Sequence, residues 1–208
     1  MARPVLIEDD ALLAKLSRAF REVGYDGASV AILASATGLK KASLYHRFPG
    51  GKEQMARDVL SAAEAWLQAR VIAVLRAQGR PRDRVSAMAD ALDSFYSGGK
   101  QSCLVNVLSA DFGKTGPFSD QVRRLVRDLS EAISLVIQDT GVDARNADQK
   151  AEQLLCELQG SLVLSRVLGT TRPFENFLLR LRDLPEQAGR SAHEKGTAAE
   201  AGRLFDTG

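Results

Sequence analysis

Apolar residues recur at spacings of three and four along almost the whole chain, the pattern of helices that each bury one face. Leu12, Leu16, Ala19, Phe20 and Val23 predict a first helix, with Gly24 as its stop. Val30, Leu33, Ala34 and Thr37 predict a short second one, with Ser29 at its N-cap and Gly38 closing it. A third covers about 40–48, where Pro49-Gly50-Gly51 breaks it. The fourth starts at Lys52 and continues to about Gln78, with Met55, Val59, Ala63, Trp66 and Val74 along one side. Pro81 opens a helix that carries Val85, Met88, Ala89, Leu92, Phe95 and Tyr96 and stops at Gly98-Gly99.

The same period continues downstream. Ser102 caps a shorter helix with Cys103, Leu104, Val107 and Leu108, and the apolar series from Phe118 to Ile137 predicts about six turns closed by Gly141. Residues 143–168 form a helix that is apolar on more than one side, and Pro173 opens a final one with Phe174, Phe177, Leu178, Leu181 and Leu184. No alternating strand pattern of useful length appears, so the chain reads as all-α. Residues 186–208 have little apolar content, and a flexible tail is expected there.

Composition narrows the class. With 208 residues, 45% hydrophobic and 26% charged, the chain can build one large domain or two small ones and is neither disordered nor fibrous. Apolar runs fall short of the roughly 20 residues that cross a bilayer, and the start lacks a signal-peptide apolar region, so a cytoplasmic protein with no membrane partner is expected. Cys103 and Cys156 each sit among aliphatic residues without a CxxC, and two buried, reduced thiols are expected rather than a disulfide. There is no HExxH, no GxSxG, no paired metal ligands and only two histidines, so neither an enzyme nor a cofactor is expected. Gly50-Gly51-Lys52 lacks the earlier glycine of a nucleotide-binding loop, since His46 stands in its place.

Net charge is only +2, but its distribution is uneven. Between Asp26 and Glu53 lie Lys40, Lys41, Arg47 and Lys52, with no acid among them. Such an island is what a local phosphate-binding surface requires; on charge alone, a solvated helix face is the plainer reading. Helical geometry tips the balance. On the third helix Leu44 and Phe48, one turn apart, define the buried side. Opposite them lie Ala42 and His46, flanked by Ser43 and Tyr45, a narrow acid-free face that fits a major groove. Ala42 can touch a thymine methyl, Ser43 and His46 reach base edges or phosphate, and Tyr45 suits the DNA backbone. Lys40 takes the N-cap position, where its charge opposes the helix dipole by about 0.5–1 kcal/mol; a phosphate arriving there would reverse the sign.

The run Gly24-Tyr25-Asp26-Gly27-Ala28-Ser29-Val30, then Leu33-Ala34, then Ala36-Thr37-Gly38-Leu39-Lys40-Lys41-Ala42-Ser43-Leu44-Tyr45-His46-Arg47-Phe48-Pro49-Gly50-Gly51-Lys52, closely resembles the DNA-binding domain of the tetracycline-repressor (TetR) family. The likeness is specific over about residues 8–60 and looser, as helix order and length, beyond them. It implies an all-α homodimeric repressor that a small apolar or amphipathic ligand releases from double-stranded operator DNA. The domains implied are a helix-turn-helix unit at 5–52, a ligand-binding and dimerisation domain at 53–185, and a tail at 186–208. Carried over residue by residue, the family's usual DNA contacts fall on Ser29, Lys41, Ser43, Tyr45, His46 and Lys52. Ala28 stands where a Thr is common, Ile32 replaces a usually polar position, and Pro-Gly-Gly-Lys is one residue longer than the commoner Pro-x-Lys.

For the rest of the chain the resemblance implies a pocket, for which Trp66, Phe95, Tyr96, Phe112 and Phe118, with Asn106 and Gln159 as polar anchors, are the candidates; plain core is the alternative for each. It also implies that the last two long helices pair with their copies as a four-helix bundle. A helix apolar on two sides needs two partners, and Leu155, Leu158, Leu162, Phe177 and Leu181 are the residues expected at that interface. A constitutive architectural DNA binder with a collapsed pocket is the other reading.

Overall fold

A computed structural model describes the backbone over residues 9–109 and 116–205, and the side chains over 9–108 and 116–188. The helices are α1 (Asp9–Gly27), α2 (Val30–Thr37), α3 (Lys41–Arg47), α4 (Gly51–Leu67), α5 (Ala73–Arg76), α6 (Pro81–Phe95), α7 (Leu104–Ser109), α8 (Ser119–Gln138), α9 (Ala144–Leu168) and α10 (Arg172–Phe205). The described residues contain no strand, so the fold is all-α.

Local chemistry accounts for most of the boundaries. Ser29 accepts the Ile32 amide at 3.3 Å to start α2, and Gly38 ends it at φ 74°, a left-handed backbone that costs a side-chain-bearing residue about 1–2 kcal/mol. Asp143 accepts the Asn146 amide at 3.0 Å to start α9, which Gly169 closes in the same left-handed conformation. Gly24 breaks α1 at φ 73°, ψ 176°, and the helical turn after it reaches Gly27. The long fourth helix expected up to Gln78 is not regular: a π-helical stretch, Gln68–Ile72, separates α4 from α5, and Ala77 is already extended.

The chain forms two compact units, the first holding 1–66 and 101–125, the second 67–100 and 126–208. The division therefore misses the boundary expected at residue 52. Met55, Val59 and Leu60 of α4 are buried with the helices before them, and Phe118 joins the same unit. In this unit α1 packs against α2 and α7, and Leu12, Leu16, Phe20, Leu33 and Leu44 are at most 1% exposed. Each such residue contributes about 1.5–3 kcal/mol of burial. Arg21 is also buried; its Nη1 donates to the Ser102 carbonyl and its Nε to the Ser17 hydroxyl at 3.4 Å, so its charge enters the unit with partners.

In the second unit α10 packs on α6 and α9 over Met88, Leu92, Tyr96, Phe174, Phe177 and Leu181. Tyr96 meets Phe174 edge-on at 5.8 Å, and Phe174 stacks on Phe177 at 6.1 Å. Buried Arg84 donates to the Leu75 carbonyl at 2.9 Å, which caps α5, and to Asp139 at 2.5 Å. Two expectations are corrected here. Residues 186–205 continue α10 as helix, with Pro185 inside it, rather than forming a tail; the first turn past the proline is anchored by fully buried Ala188. Of the two thiols only Cys103 is buried; Cys156 is exposed on α9.

Candidate nucleic-acid interface

The geometry of the turn between α2 and α3 rests on one buried hydroxyl. Thr37, with no exposed surface, donates from Oγ1 to the Leu33 carbonyl at 2.8 Å and the Ala34 carbonyl at 3.1 Å, and accepts the Leu39 amide at 3.4 Å. The Leu39 amide also reaches the Ala34 carbonyl at 3.1 Å, and Lys15 on α1 donates to the Thr37 carbonyl at 3.3 Å. The last carbonyls of α2 are thereby satisfied and the start of α3 is held against α1. Leu39 itself is half-buried.

On α3, Leu44 is fully buried and Phe48 7% exposed, while Lys40, Lys41, Ala42, Ser43, Tyr45 and His46 are all exposed. The outward face read from the wheel is thus the face the fold leaves open. Lys40 is the N-cap, in extended conformation, and its side chain makes no capping bond, so the positive end of α3 carries a lysine and no acid. Arg47, half-buried, pairs with Asp9 at 3.3 Å, tying α3 to the first turn of α1. Ser29 is exposed with its oxygen occupied by the α2 cap, which leaves the hydroxyl proton free to donate outward.

The longer loop has a specific build. Gly51 takes φ 65°, its amide donates to the Phe48 carbonyl at 2.8 Å, and Gln54 reaches back to accept the Gly50 amide at 2.8 Å. The Tyr45 ring lies against Gly51, with Cε1 3.5 Å from where a Cβ would stand. Lys52 is where expectation and structure diverge most. Its Nζ donates to the Tyr25 carbonyl at 3.0 Å and sits 4.2 Å from the centroid of the Tyr25 ring, so it is half-buried rather than reaching freely outward. Tyr25 stands in the motif run without an assigned role. Its place under Lys52 depends on the break at Gly24, which periodicity marks only as a stop. Burial holds the Tyr25 phenol above its ordinary value of 10.0, with Glu53 and Asp26 adding to the rise and Arg57 opposing it.

The other expected sites fare differently. Four of the five interface residues are interior to their own chain: Leu158 is 2% exposed, Leu162 4%, and Phe177 and Leu181 fully buried. Only Leu155 keeps some exposure, so this set is corrected. Among the described residues, the large apolar side chains that α9 and α10 leave open are Leu164, Val167, Leu168 and Leu179, between 51% and 69% exposed. Leu164 and Leu168 line a groove of about 590 Å³ together with Glu157, Gly160, Arg172 and Arg180. None of the expected ligand residues lines it. Trp66 and Asn106 belong to the first unit, Phe95, Tyr96 and Gln159 to the second, and Phe112 lies outside the described residues. Tyr96 is 3% exposed and edge-on to Phe95 at 5.1 Å, which is core packing. Among the described residues no cluster of His, Cys, Asp or Glu is placed to hold a metal, and no helix is long and apolar enough to cross a membrane.

Comparison with known proteins agrees with this geometry. The chain is 21% identical over 178 residues to the HTH-type transcriptional regulator LmrA of Bacillus subtilis (strain 168), covering 84% of this chain and 95% of that protein. The fold matches a TetR transcriptional regulator from Legionella pneumophila with a TM-score of 0.72 at 22% identity, over 88% of this chain and 98% of that one. It also matches AibR, solved in complex with isovaleryl coenzyme A and operator DNA, with a TM-score of 0.57 at 17% identity, over 73% and 85% of the two chains. Residues 12–59, which hold α1 to α3 and the start of α4, match the family described as "Bacterial regulatory proteins, tetR family". The family match is confined to these residues, and together with the likenesses along the rest of the chain it supports a TetR-family, DNA-binding transcriptional regulator.

Proposed function

We propose that the protein is a cytoplasmic homodimeric repressor that leaves its operator when a small apolar or amphipathic molecule binds. The observation that carries the DNA half of this reading is the outward face of α3. Ala42, Ser43, Tyr45 and His46 are exposed opposite buried Leu44, with Lys40 and Lys41 at the helix start and no acid between Asp26 and Glu53. In the groove, Ser43 and His46 supply donors to base edges and Ala42 a methyl contact. Ser29, Lys40, Lys41, Tyr45 and Lys52 hold phosphates on either side.

Dimerisation is supported by the apolar residues left open on α9 and α10, Leu164, Val167, Leu168 and Leu179, of which Leu164 and Leu168 line the groove. A self-complementary patch of this kind pairs through a two-fold axis, presenting two recognition helices to major grooves about 34–36 Å apart. Release follows if the ligand favours a spacing that misses successive grooves. The ligand arm is supported by the likeness to AibR, solved with both an acyl-coenzyme A and operator DNA.

The experiment is a gel shift of the purified protein on the DNA upstream of its own gene at low salt, with sedimentation to count the subunits. A retarded complex of two chains is expected, and no retardation overturns the reading. A thermal-shift screen of small molecules separates a sensor, which some compound stabilises, from a constitutive DNA binder, which none does.

A further inference from the structure

Lys52 is held by a cluster assembled from three distant parts of the chain. The Gly24 break turns Tyr25 so that its carbonyl and its ring both face the Lys52 ammonium, at 3.0 Å and 4.2 Å. Phe20 stacks on the Tyr25 ring at 6.3 Å, and Phe118 meets it edge-on at 5.2 Å. Phe118 is 1% exposed, and the Arg57 guanidinium lies 5.8 Å from its centroid. Arg57 also donates to the Pro117 carbonyl at 3.4 Å and pairs with Glu53 at 2.6 Å, so α4 holds the Phe118 end of the cluster as well. An ammonium has three N–H donors. One goes to the Tyr25 carbonyl and the π face attracts the charge, which leaves the remaining donors confined to a narrow range of directions.

We infer that Tyr25 and Phe118 are positioning residues for DNA binding: they hold the Lys52 ammonium so that its remaining donors point at one phosphate. The inference rests on the reading of Lys52 as a phosphate ligand. Its physical content is entropic. A free lysine side chain loses most of its rotamer freedom when it grips a phosphate, whereas one already seated on Tyr25 has little left to lose. Phe118 fixes the ring that does the seating. The DNA-binding surface therefore extends to a residue beyond the helix-turn-helix segment, in the 101–125 part of the first unit.

The test uses the full-length protein. In the absence of DNA, ring current from Tyr25 shifts the Lys52 ε-methylene proton resonance upfield, assigned with Lys52→Arg. Phe118→Leu and Tyr25→Leu are expected to move it toward the free-lysine position, and Tyr25→Phe to leave it in place. With operator DNA, Lys52→Ala lowers the slope of log K against log salt by about 0.9 for each phosphate it no longer neutralises. Phe118→Leu weakens binding about tenfold with that slope nearly unchanged, since Lys52 still reaches the phosphate but loses more rotamer freedom in doing so, and base preference is unchanged. In the Lys52→Ala background it has no further effect.

Equal losses in both backgrounds, or an unmoved resonance, overturn the positioning role alone. An unchanged salt slope for Lys52→Ala overturns the phosphate role on which it rests. Should Phe118→Leu fail to fold, the pair Tyr25→Leu and Tyr25→Phe carries the same comparison.

Discussion

The hydroxyl of Thr37 donates to the carbonyl of Leu33 at 2.8 Å in a site with no exposed surface, where α2 turns toward α3. Leu39 leans on the same oxygen through its amide at 3.4 Å. Thr37→Val keeps the shape and removes the hydroxyl, leaving the turn to the backbone bonds that the Gly38 and Leu39 amides give to Ser35 and Ala34. A loss of about 1–2 kcal/mol is expected, read as a lower urea midpoint with an unchanged m-value. Thr37→Ser, which keeps the oxygen, should recover most of it.

Two glycines separate backbone strain from steric conflict. Gly38 has φ 74° and a Cβ added there would meet nothing within 4 Å, so Gly38→Ala should cost only the left-handed penalty of about 1–2 kcal/mol. Gly99 has φ 83°, and a Cβ there would stand 2.7 Å from the Phe174 Cβ, an atom fixed to the α10 backbone. Gly99→Ala adds overpacking to strain and should cost about 2–5 kcal/mol. Thermal unfolding of the two variants in parallel checks the ordering.

Lys40 separates stability from function. It caps α3 without a capping hydrogen bond and places a positive charge at the positive end of the helix dipole. Lys40→Ser is expected to stabilise the free protein by about 0.5–1 kcal/mol and to weaken DNA binding at every sequence. A variant that is less stable, or that binds DNA as well as the parent, contradicts this account.

The open face of α9 and α10 differs from their buried one in what a substitution there should do. Leu164 is 51% exposed and Leu168 63%, so Leu164→Glu with Leu168→Glu should yield a folded monomer by sedimentation velocity with full helical content. Leu181 is fully buried within its own chain, and Leu181→Ala should instead cost about 2–5 kcal/mol of stability. Monomerisation by the second substitution without unfolding would reverse the assignment of faces.

Tyr25 gives the fold an alkaline limit. Its phenol is held above the ordinary value of 10.0, chiefly by burial, so the folded state keeps a proton that the unfolded state gives up. Its contribution is complete below about pH 10 and is lost as pH rises through the folded value. Tyr25→Phe removes that ionisation, and the steep fall in stability above pH 10 should become shallower in urea titrations.

Much of this architecture was legible from local chemistry, because caps and breaks act within a few residues. Ser29 and Gly38 bound α2, Asp143 starts α9 at the expected residue, and Leu44 and Phe48 mark the buried side of α3. The exposed face of α3 followed from that side alone, since a seven-residue helix with two buried anchors has only one opposite face. The π-helical stretch at Gln68–Ile72 left no such mark, as its residues keep an ordinary helical pattern.

Local pattern was enough for the all-α class, the bounds of α2, the start of α9 and the composition of the recognition face, all of which depend on neighbours within one or two turns. Packing between distant segments settled the rest. It turned Leu158 and Leu162 inward and left Leu164, Val167 and Leu168 open, because a helix apolar on two sides carries no local sign of which side its own chain will cover. It exposed Cys156 for the same reason. It also brought Phe118 to Tyr25 and Tyr25 to Lys52, a conjunction set by how α1, α4 and the start of α8 pack together, which no spacing along the chain encodes.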